Sequence, residues 1–376
     1  MKEILFWCPY IGKVGTANAV LQSAKALSKS KKFNCKIINV FGEFDEYKNF
    51  FRSNKIEVIN LINSRILNFI PNEGFIWSRI KFTLIFLSSF IPLLLLLKNR
   101  NAYLFIYLLT SLPLLVVKIF KLNTKIIFRV SGKINFTYFR KLIYLFSRSN
   151  ILAVLVQTKI AKTKLMKQNI YFSNKIFFIE DPVIDINKIN EKKKKKIEKK
   201  YKKKEFYVAI GRLTHQKNFT FLVKAFASLH KEHKMLLLII GEGSKRVEIE
   251  EEIKKQKLKK YIHLIGYKDN IYKYIHNSLG LICSSLWEEP GFVIQEAAAC
   301  KKIIITSDCD SGPSEFLNYG KNGYIYKSNN IKSFIKVFSK MNNQNKKHHN
   351  MILNNYKKVH HYTKLNFKKN INQILK

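Results

Sequence analysis

The residue types that could do chemistry gather in the C-terminal half of the chain. Gly211-Arg212-Leu213-Thr214-His215-Gln216-Lys217-Asn218-Phe219 follows a strand-like apolar run and opens a helical one. A glycine lets the backbone turn close to a ligand. Arg212 and Lys217 then stand beside the positive pole of the coming helix, and two cations with free backbone amides suit a diphosphate. A cationic surface turn would account for the same residues. The second set runs from Ser285 to Cys300, with Glu288 and Glu296 eight apart. Glu288 falls in a loop after a strand and Glu296 within the next helix. Gly291 sits where that helix starts, so unpaired N–H groups lie nearby. A glutamate facing a cleft can accept two hydrogen bonds from a vicinal diol such as a ribose. The plainer reading makes Glu288 and Glu289 helix-start charges and Glu296 a surface residue. Three alanines follow Glu296, however, and a carboxylate on so closely packed a segment needs a partner. A third, turn-rich set spans Ser307–Phe316 and Gly320–Gly323, and Leu238–Ser244 is a strand entering a glycine turn. Each of these reads equally well as a plain loop.

The elements that must position these residues alternate. Ile4–Cys8, Lys36–Val40, Ala102–Tyr107, Lys125–Val130 and Ala153–Gln157 read as buried strands, and Ala17–Leu27 as a helix. A second alternating set follows: strands at Phe206–Ile210, Met235–Ile240, Ile262–Ile265, Leu279–Cys283 and Ile303–Ser307, and helices at Phe219–His230, Arg246–Gln256 and Val293–Ala299. Alternation of this kind predicts parallel sheets with helical crossovers. With 376 residues, two domains are expected. Ten of the thirteen residues from Lys192 to Lys204 are lysine, which predicts a solvated linker. The expected division is therefore 1–182, a linker at 183–204, a second domain at 205–356, and a basic segment at 357–376 that packs back on the first domain or serves as a basic membrane tail. Ligands of such sheets bind beyond the carboxyl ends of the strands, so a cleft between the domains is the expected site.

Composition excludes several classes. A hydrophobic content of 47% excludes a disordered chain. Five cysteines without a C-x-x-C pair argue against a disulfide framework or a zinc site and for a reducing cytosol. The net charge is +43, part of which an A/T-rich genome could write as surface lysine. Its distribution is uneven. Between Glu73 and Glu180 lie 106 residues with 17 Lys or Arg and no carboxylate, and none follows Glu315. Such regions attract phosphates, whether of a membrane, a nucleic acid or a substrate. Two uncharged runs, Phe82–Leu97 and Asn101–Val117, fall just short of spanning length. A helix, a buried strand and a second helix, with an apolar face resting on a bilayer, is the preferred reading over a transmembrane hairpin.

In order and spacing, the sets from Gly211 to Gly323 resemble the C-terminal domain of glycosyltransferase family 4, the glycosyl transferases group 1 domain. The carriers are G-R-L-x-x-x-K-N, I-G-x-G, E-x7-E followed by A, a G-x-x-E loop and a G-x-N-G turn. The form W-E-E-P-G-F-V-I-Q-E-A-A-A with S-D-C-x-x-G-P-x-E-F resembles the branch that builds capsules and lipopolysaccharide O-chains. The resemblance implies a GT-B fold of two doubly wound Rossmann-like domains. It implies retaining transfer of a sugar from a nucleotide diphosphate sugar, UDP favoured, to a lipid-linked or growing surface glycan. On the matching positions, Gly211 would shape the turn, and Arg212 and Lys217 would hold the diphosphate. Glu296 would take the ribose hydroxyls and Glu288 those of the sugar. The amides of Gly291 and Phe292 would meet the sugar or phosphate, and the base would lie near Gly266 and Tyr267. No metal or other cofactor is implied, because the two cations neutralise the leaving group.

The N-terminal half resembles the family more loosely. Gly12 and Gly15 fit its glycine loop after the first strand. Where the family often has a histidine, this sequence reads Arg129-Val130-Ser131, so Arg129 and Ser131 become acceptor-side candidates. A lipid-borne acceptor would place the enzyme in the cytoplasm, peripheral on the inner face of the membrane, with the acid-free region on anionic lipid. The rival readings are a GT-B epimerase or hydrolase acting without acceptor, and a basic nucleic-acid-binding protein. No recognised nucleic-acid motif supports the latter.

Overall fold

The computed structural model describes residues 1–11, 15–30, 32–62, 75–130, 132, 134, 136–230, 235–342 and 345–375. The chain divides into two compact units, one of Met1–Val183 with Lys364–Lys376, the other of Ile184–Thr363.

In the first unit the strands are β1 (Lys2–Trp7), β2 (Phe33–Asn39), β3 (Glu57–Asn60), β4 (Ala102–Ile106), β5 (Lys125–Arg129), β6 (Ile151–Val156) and β7 (Ile176–Phe178). Its helices are α1 (Gly15–Ser28), α2 (Lys48–Asn54), α3 (Phe75–Lys98), α4 (Ser111–Ile119), α5 (Tyr138–Ser147) and α6 (Lys159–Met166). The strands form one parallel sheet in the order β3-β2-β1-β4-β5-β6-β7. The order reverses beside β1, which makes the sheet doubly wound. Leu5, Trp7, Leu104, Ile106, Ile126 and Phe128 join one core with Ile85, Leu93 and Leu97 of α3 and Leu112, Val116 and Val117 of α4. The strands β3 and β7 were not legible as apolar runs, because each has only three or four residues and only Ile176 among them is fully buried.

The second unit holds α7 (Ile186–Lys193), β8 (Phe206–Ile210), α8 (Phe219–His230), β9 (Leu236–Ile240), α9 (Arg246–Lys255), β10 (Ile262–Leu264), α10 (Tyr272–Asn277) and β11 (Gly280–Cys283). There follow β12 (Trp287–Glu288), α11 (Phe292–Ala299), β13 (Ile303–Ser307), β14 (Asp310–Ser311), α12 (Gly312–Phe316), β15 (Tyr324–Tyr326), α13 (Ile331–Asn342) and α14 (Asn345–Lys358). Six strands form a parallel sheet ordered β10-β9-β8-β11-β13-β15, and β12 pairs with β14 apart from it. Glycine at 280 is needed where β11 crosses between its neighbours, since a Cβ there would stand 2.5 Å from the Ile303 side chain.

The lysine-rich stretch is not the expected linker. It is folded into the second unit, because Ile189, Ile197 and Tyr201 punctuate the lysines and are buried. Asp185 caps α7 by accepting from the Lys188 N–H at 3.2 Å. Glu198 draws in Lys268 and Lys273 at 3.6 and 3.9 Å. The chain leaves this unit beside its entry, where the Ile184 N–H donates to the Tyr362 carbonyl at 3.0 Å.

The last helix, α15 (Lys364–Ile374), belongs to the first unit. Phe367 and Ile371, four apart, are buried, and the Phe367 ring lies 6.4 Å from that of Phe105 on β4. Small residues on α1, Ala17, Ala24 and Ser23 among them, allow close packing on this side of the sheet. Lys2 Nζ closes the arrangement by donating to the Leu375 carbonyl at 2.6 Å. Phe367→Ala is expected to cost about 3–5 kcal/mol. Urea unfolding followed by circular dichroism would read it, and an unchanged midpoint would contradict this role for α15.

Candidate active site

The chemistry-bearing loops of the second unit leave the carboxyl edge of its sheet and are stitched together by backbone. Gly211 N–H donates to the Ile240 carbonyl at 3.0 Å and Leu213 N–H to that of Glu242 at 2.9 Å. Gly241 N–H donates to the Gly266 carbonyl at 3.0 Å, which ties in the loop after β10. The close approach dictates glycine: a Cβ on Gly241 would stand 1.9 Å from the Gly211 carbonyl oxygen. A Cβ on Gly211 would meet the Lys217 side chain at 2.8 Å, so glycine there leaves room for Lys217 to fold back across the turn.

Lys217 Nζ meets Glu288 Oε1 in a direct ion pair. The same oxygen accepts from Ser285 Oγ at 2.6 Å. Ser284 Oγ donates to the Lys217 carbonyl at 2.7 Å and Gln216 Nε2 to the Trp287 carbonyl at 2.8 Å, so the two loops hold each other along their length. Burial works against the charge on Lys217, and the facing Glu288 carboxylate outweighs it and holds the ammonium above its ordinary value. The charge of Arg212 acts on Lys217 in the opposing direction. Arg212 itself is exposed and makes no salt bridge among the described residues.

Glu296 lies on α11 and accepts from the Tyr272 hydroxyl of α10 at 3.3 Å. Burial pushes its carboxyl up to about 7, with the Tyr272 hydroxyl and the Lys217 charge pulling it back. Gly291 precedes α11 at φ +86°, and a Cβ there would crowd Glu288 Cβ at 3.3 Å. Phe292 opens the helix. Gly266, at φ +73°, and the half-exposed Tyr267 follow β10. A surface cavity of about 630 Å³ reaches Gly266 and Glu242, with Arg246, Tyr201, His263 and Lys268 among its walls; Lys217, Glu288 and Glu296 do not line it.

The third loop supports the second. A Cβ on Gly312 would stand 2.1 Å from the Pro290 carbonyl oxygen, and β14 pairs with β12 through Trp287–Asp310 and Glu288–Ser311. Ser307 Oγ donates to the Ser285 carbonyl at 2.6 Å. Among the described residues no three His, Cys, Asp or Glu stand as a metal-binding group. The five cysteines are buried and unpaired.

Sequence reasoning missed Ser284, Ser285, Gln216 and Tyr272. The Ser-Ser step after a buried apolar strand is a signal, since hydroxyls there need partners; Tyr272 carries none. In the first unit, Gly15 opens α1, while Gly12 and Ser131 lie outside the described residues. Arg129, an acceptor-side candidate in the sequence, is buried in an ion pair within its own unit. It is 2% exposed and donates to Asp181 Oδ2 at 2.5 Å, with the Tyr107 ring 5.8 Å from its guanidinium. Its guanidinium neutralises a fully buried carboxylate.

Residues 190–358 match the family model described as glycosyl transferases group 1. The chain carries a group 1 glycosyltransferase domain. An uncharacterized glycosyltransferase of Methanocaldococcus jannaschii is 30% identical over 220 residues, 54% of this chain and 53% of the relative. The N-acetylgalactosamine-N,N'-diacetylbacillosaminyl-diphospho-undecaprenol 4-alpha-N-acetylgalactosaminyltransferase of Campylobacter jejuni is 30% identical over 174 residues, 46% of either protein. The matches thus span about half the length of these curated relatives. HepE of Anabaena, crystallised with UDP and glucose, superposes at a TM-score of 0.77 with 14% identity, covering 100% of this chain and 99% of that one. Sucrose-phosphate synthase of Thermosynechococcus elongatus does so at 0.78 and 14%, with the same coverage. The fold is GT-B. In the group 1 domain, the residues around Gly241 are the tightest backbone crossing of the site. Gly241→Ala is expected to destabilise the protein by about 1–3 kcal/mol. Urea unfolding would check it, and wild-type stability would mean that the two turns part freely.

Proposed function

We propose that this protein is a retaining glycosyltransferase that moves a sugar from a nucleotide diphosphate sugar, UDP in preference to GDP, to a lipid-linked or growing surface glycan. The observation that carries the reading is Lys217 paired to Glu288, with Arg212 and Glu296 beside them at the carboxyl edge of a group 1 domain. The Campylobacter relative, named for a diphospho-undecaprenol acceptor, and the UDP and glucose in HepE support the choice of acceptor and donor.

In this reading Arg212 and Lys217 hold the diphosphate, and the amides at Gly291 and Phe292 meet it from the start of α11. Glu296 accepts the ribose hydroxyls, and the base rests near Gly266 and Tyr267. Glu288 accepts sugar hydroxyls. This reading assigns it no nucleophilic role, because the departing phosphate can itself take the acceptor's proton on the same face. The bond from the sugar's anomeric carbon to the diphosphate breaks, and the acceptor oxygen bonds to the same face. The acceptor's proton passes to the departing phosphate oxygen. The two cations neutralise the charge that develops there, so the reaction needs no metal ion. An acceptor carried on lipid places the enzyme peripherally on the inner face of the membrane.

Incubation of UDP-sugars with and without a synthetic lipid diphosphate acceptor tests this. Transfer with retained anomeric configuration is expected only with acceptor, and Lys217→Ala should lower kcat by about 10²–10³. Epimerised or hydrolysed sugar formed equally without acceptor would overturn it. The ribose contact needs a charged Glu296. With its carboxyl pushed up to about 7, UDP affinity should rise between pH 6 and pH 8. Glu296→Gln should flatten that profile, as measured by thermal shift or calorimetry, and an unchanged slope would remove Glu296 from the donor site.

A further inference from the structure

Helix α3 carries an apolar stripe that its own unit leaves uncovered. Trp77, Ile80, Leu84, Leu87, Ile91 and Leu95 recur at intervals of three and four residues and are 37–67% exposed. The opposite side of the helix, through Ile85, Leu93 and Leu97, is buried in the core. The stripe continues onto neighbouring elements. Phe90 of α3 meets the exposed Phe120 just beyond α4 edge to face, with ring centres 6.1 Å apart. Lys118 at the end of α4 lies 5.5 Å over the ring of Phe146 on α5, where Tyr138, Phe139 and Phe146 are exposed. Elsewhere among the described residues, large exposed apolar side chains occur no more than one to an element.

Two further features say what covers this face. Its hydroxyls are satisfied within the helix: Thr83 Oγ1 donates to the Arg79 carbonyl at 3.0 Å and Ser88 Oγ to that of Leu84 at 2.7 Å. Polar groups entering lipid must find such internal partners. The charge is one-sided. Residues 74–179 hold 17 Lys or Arg and no carboxylate, with Arg79 and Lys98 near the two ends of the stripe and Arg140, Lys141 and Arg148 on α5 or just after it. A second copy of the chain would oppose cations to cations; an anionic lipid surface complements them.

We propose that α3, the end of α4 and α5 together form a docking face for an anionic bilayer. The apolar side chains enter the boundary between headgroups and acyl chains, and the surrounding cations meet lipid phosphates. The segment Arg79–Lys98 is long and apolar enough to cross a membrane, yet it lies in the membrane plane. Spanning would strip Ile85, Leu93 and Leu97 from the core and carry the buried Lys81 into hydrocarbon. The inference rests on the reading of a lipid-borne acceptor for its purpose, while its test reads binding without turnover.

The full chain is sedimented with vesicles of phosphatidylcholine alone and of phosphatidylcholine with phosphatidylglycerol. Salt-sensitive binding is expected to the anionic vesicles, at least about tenfold stronger than to the neutral ones. Leu87→Ser combined with Ile91→Ser should weaken it by about tenfold or more. The UDP-induced thermal shift should stay unchanged in that variant, which shows that the chain is folded. Alkaline carbonate should release the bound protein. No binding by the wild type, binding indifferent to the double substitution, or resistance to carbonate would each overturn the proposal. A dimer in solution that the same substitutions abolish, without vesicle binding, would overturn it too and assign the face to a second copy. Vesicle binding with no transfer activity would fail the glycosyltransferase reading and leave this one standing.

Discussion

The pair of Lys217 and Glu288, 71 residues apart, is the interaction on which the second unit's working edge depends. Both side chains are largely withdrawn from water, so either one alone would be an uncompensated charge. The demands of that pair propagate outward. Lys217 reaches Glu288 by crossing Gly211, where a Cβ would crowd its methylenes. Glu288 is held by Ser285, Ser285 by Ser307, and the Pro290 turn by the approach of Gly312. Glycines that look like scattered turns in the sequence are contact points between backbones.

A matched ion pair also sets what the site can do. Its positive end feels Arg212 and Glu296 at once. An arriving diphosphate would compete with Glu288 for Lys217, and among the described residues with no ion-pair partner for the exposed Arg212. The protein thereby keeps a concentrated charge in a low-dielectric setting without leaving it unpaired, which is the preorganised condition for stabilising a departing anion. The first unit shows the contrasting use of charge. Its Arg129–Asp181 pair is sealed among β-strand ends, while many of its other cations lie exposed.

Much of this arrangement is legible in the amino-acid sequence. The strands of both sheets stand out where they are buried on both faces, as at Ile4–Trp7 and Leu236–Ile240, because parallel strands read as continuous apolar runs. Short edge strands such as β3, β7 and β15 do not. In the candidate site, the eight-residue spacing of Glu288 and Glu296 already separates a loop carboxylate from a helix carboxylate. What spacing does not display is commitment. Arg129 reads as an available cation at a strand end until Asp181, 52 residues on, is found beside it. The lysine run reads as a linker because ten charges outweigh Ile189, Ile197 and Tyr201 in any window average, although those three decide where the segment packs.

The central claim is that Lys217 and Glu288 act as one unit in holding the donor. Calorimetric titration of UDP into wild type, Lys217→Met, Glu288→Gln and the double variant measures this directly. The predicted losses do not add, and the coupling between the two positions is about 1–3 kcal/mol. Losses that sum to within about 0.5 kcal/mol would mean that the two residues bind independently, and the pair would then be a feature of packing rather than of the site.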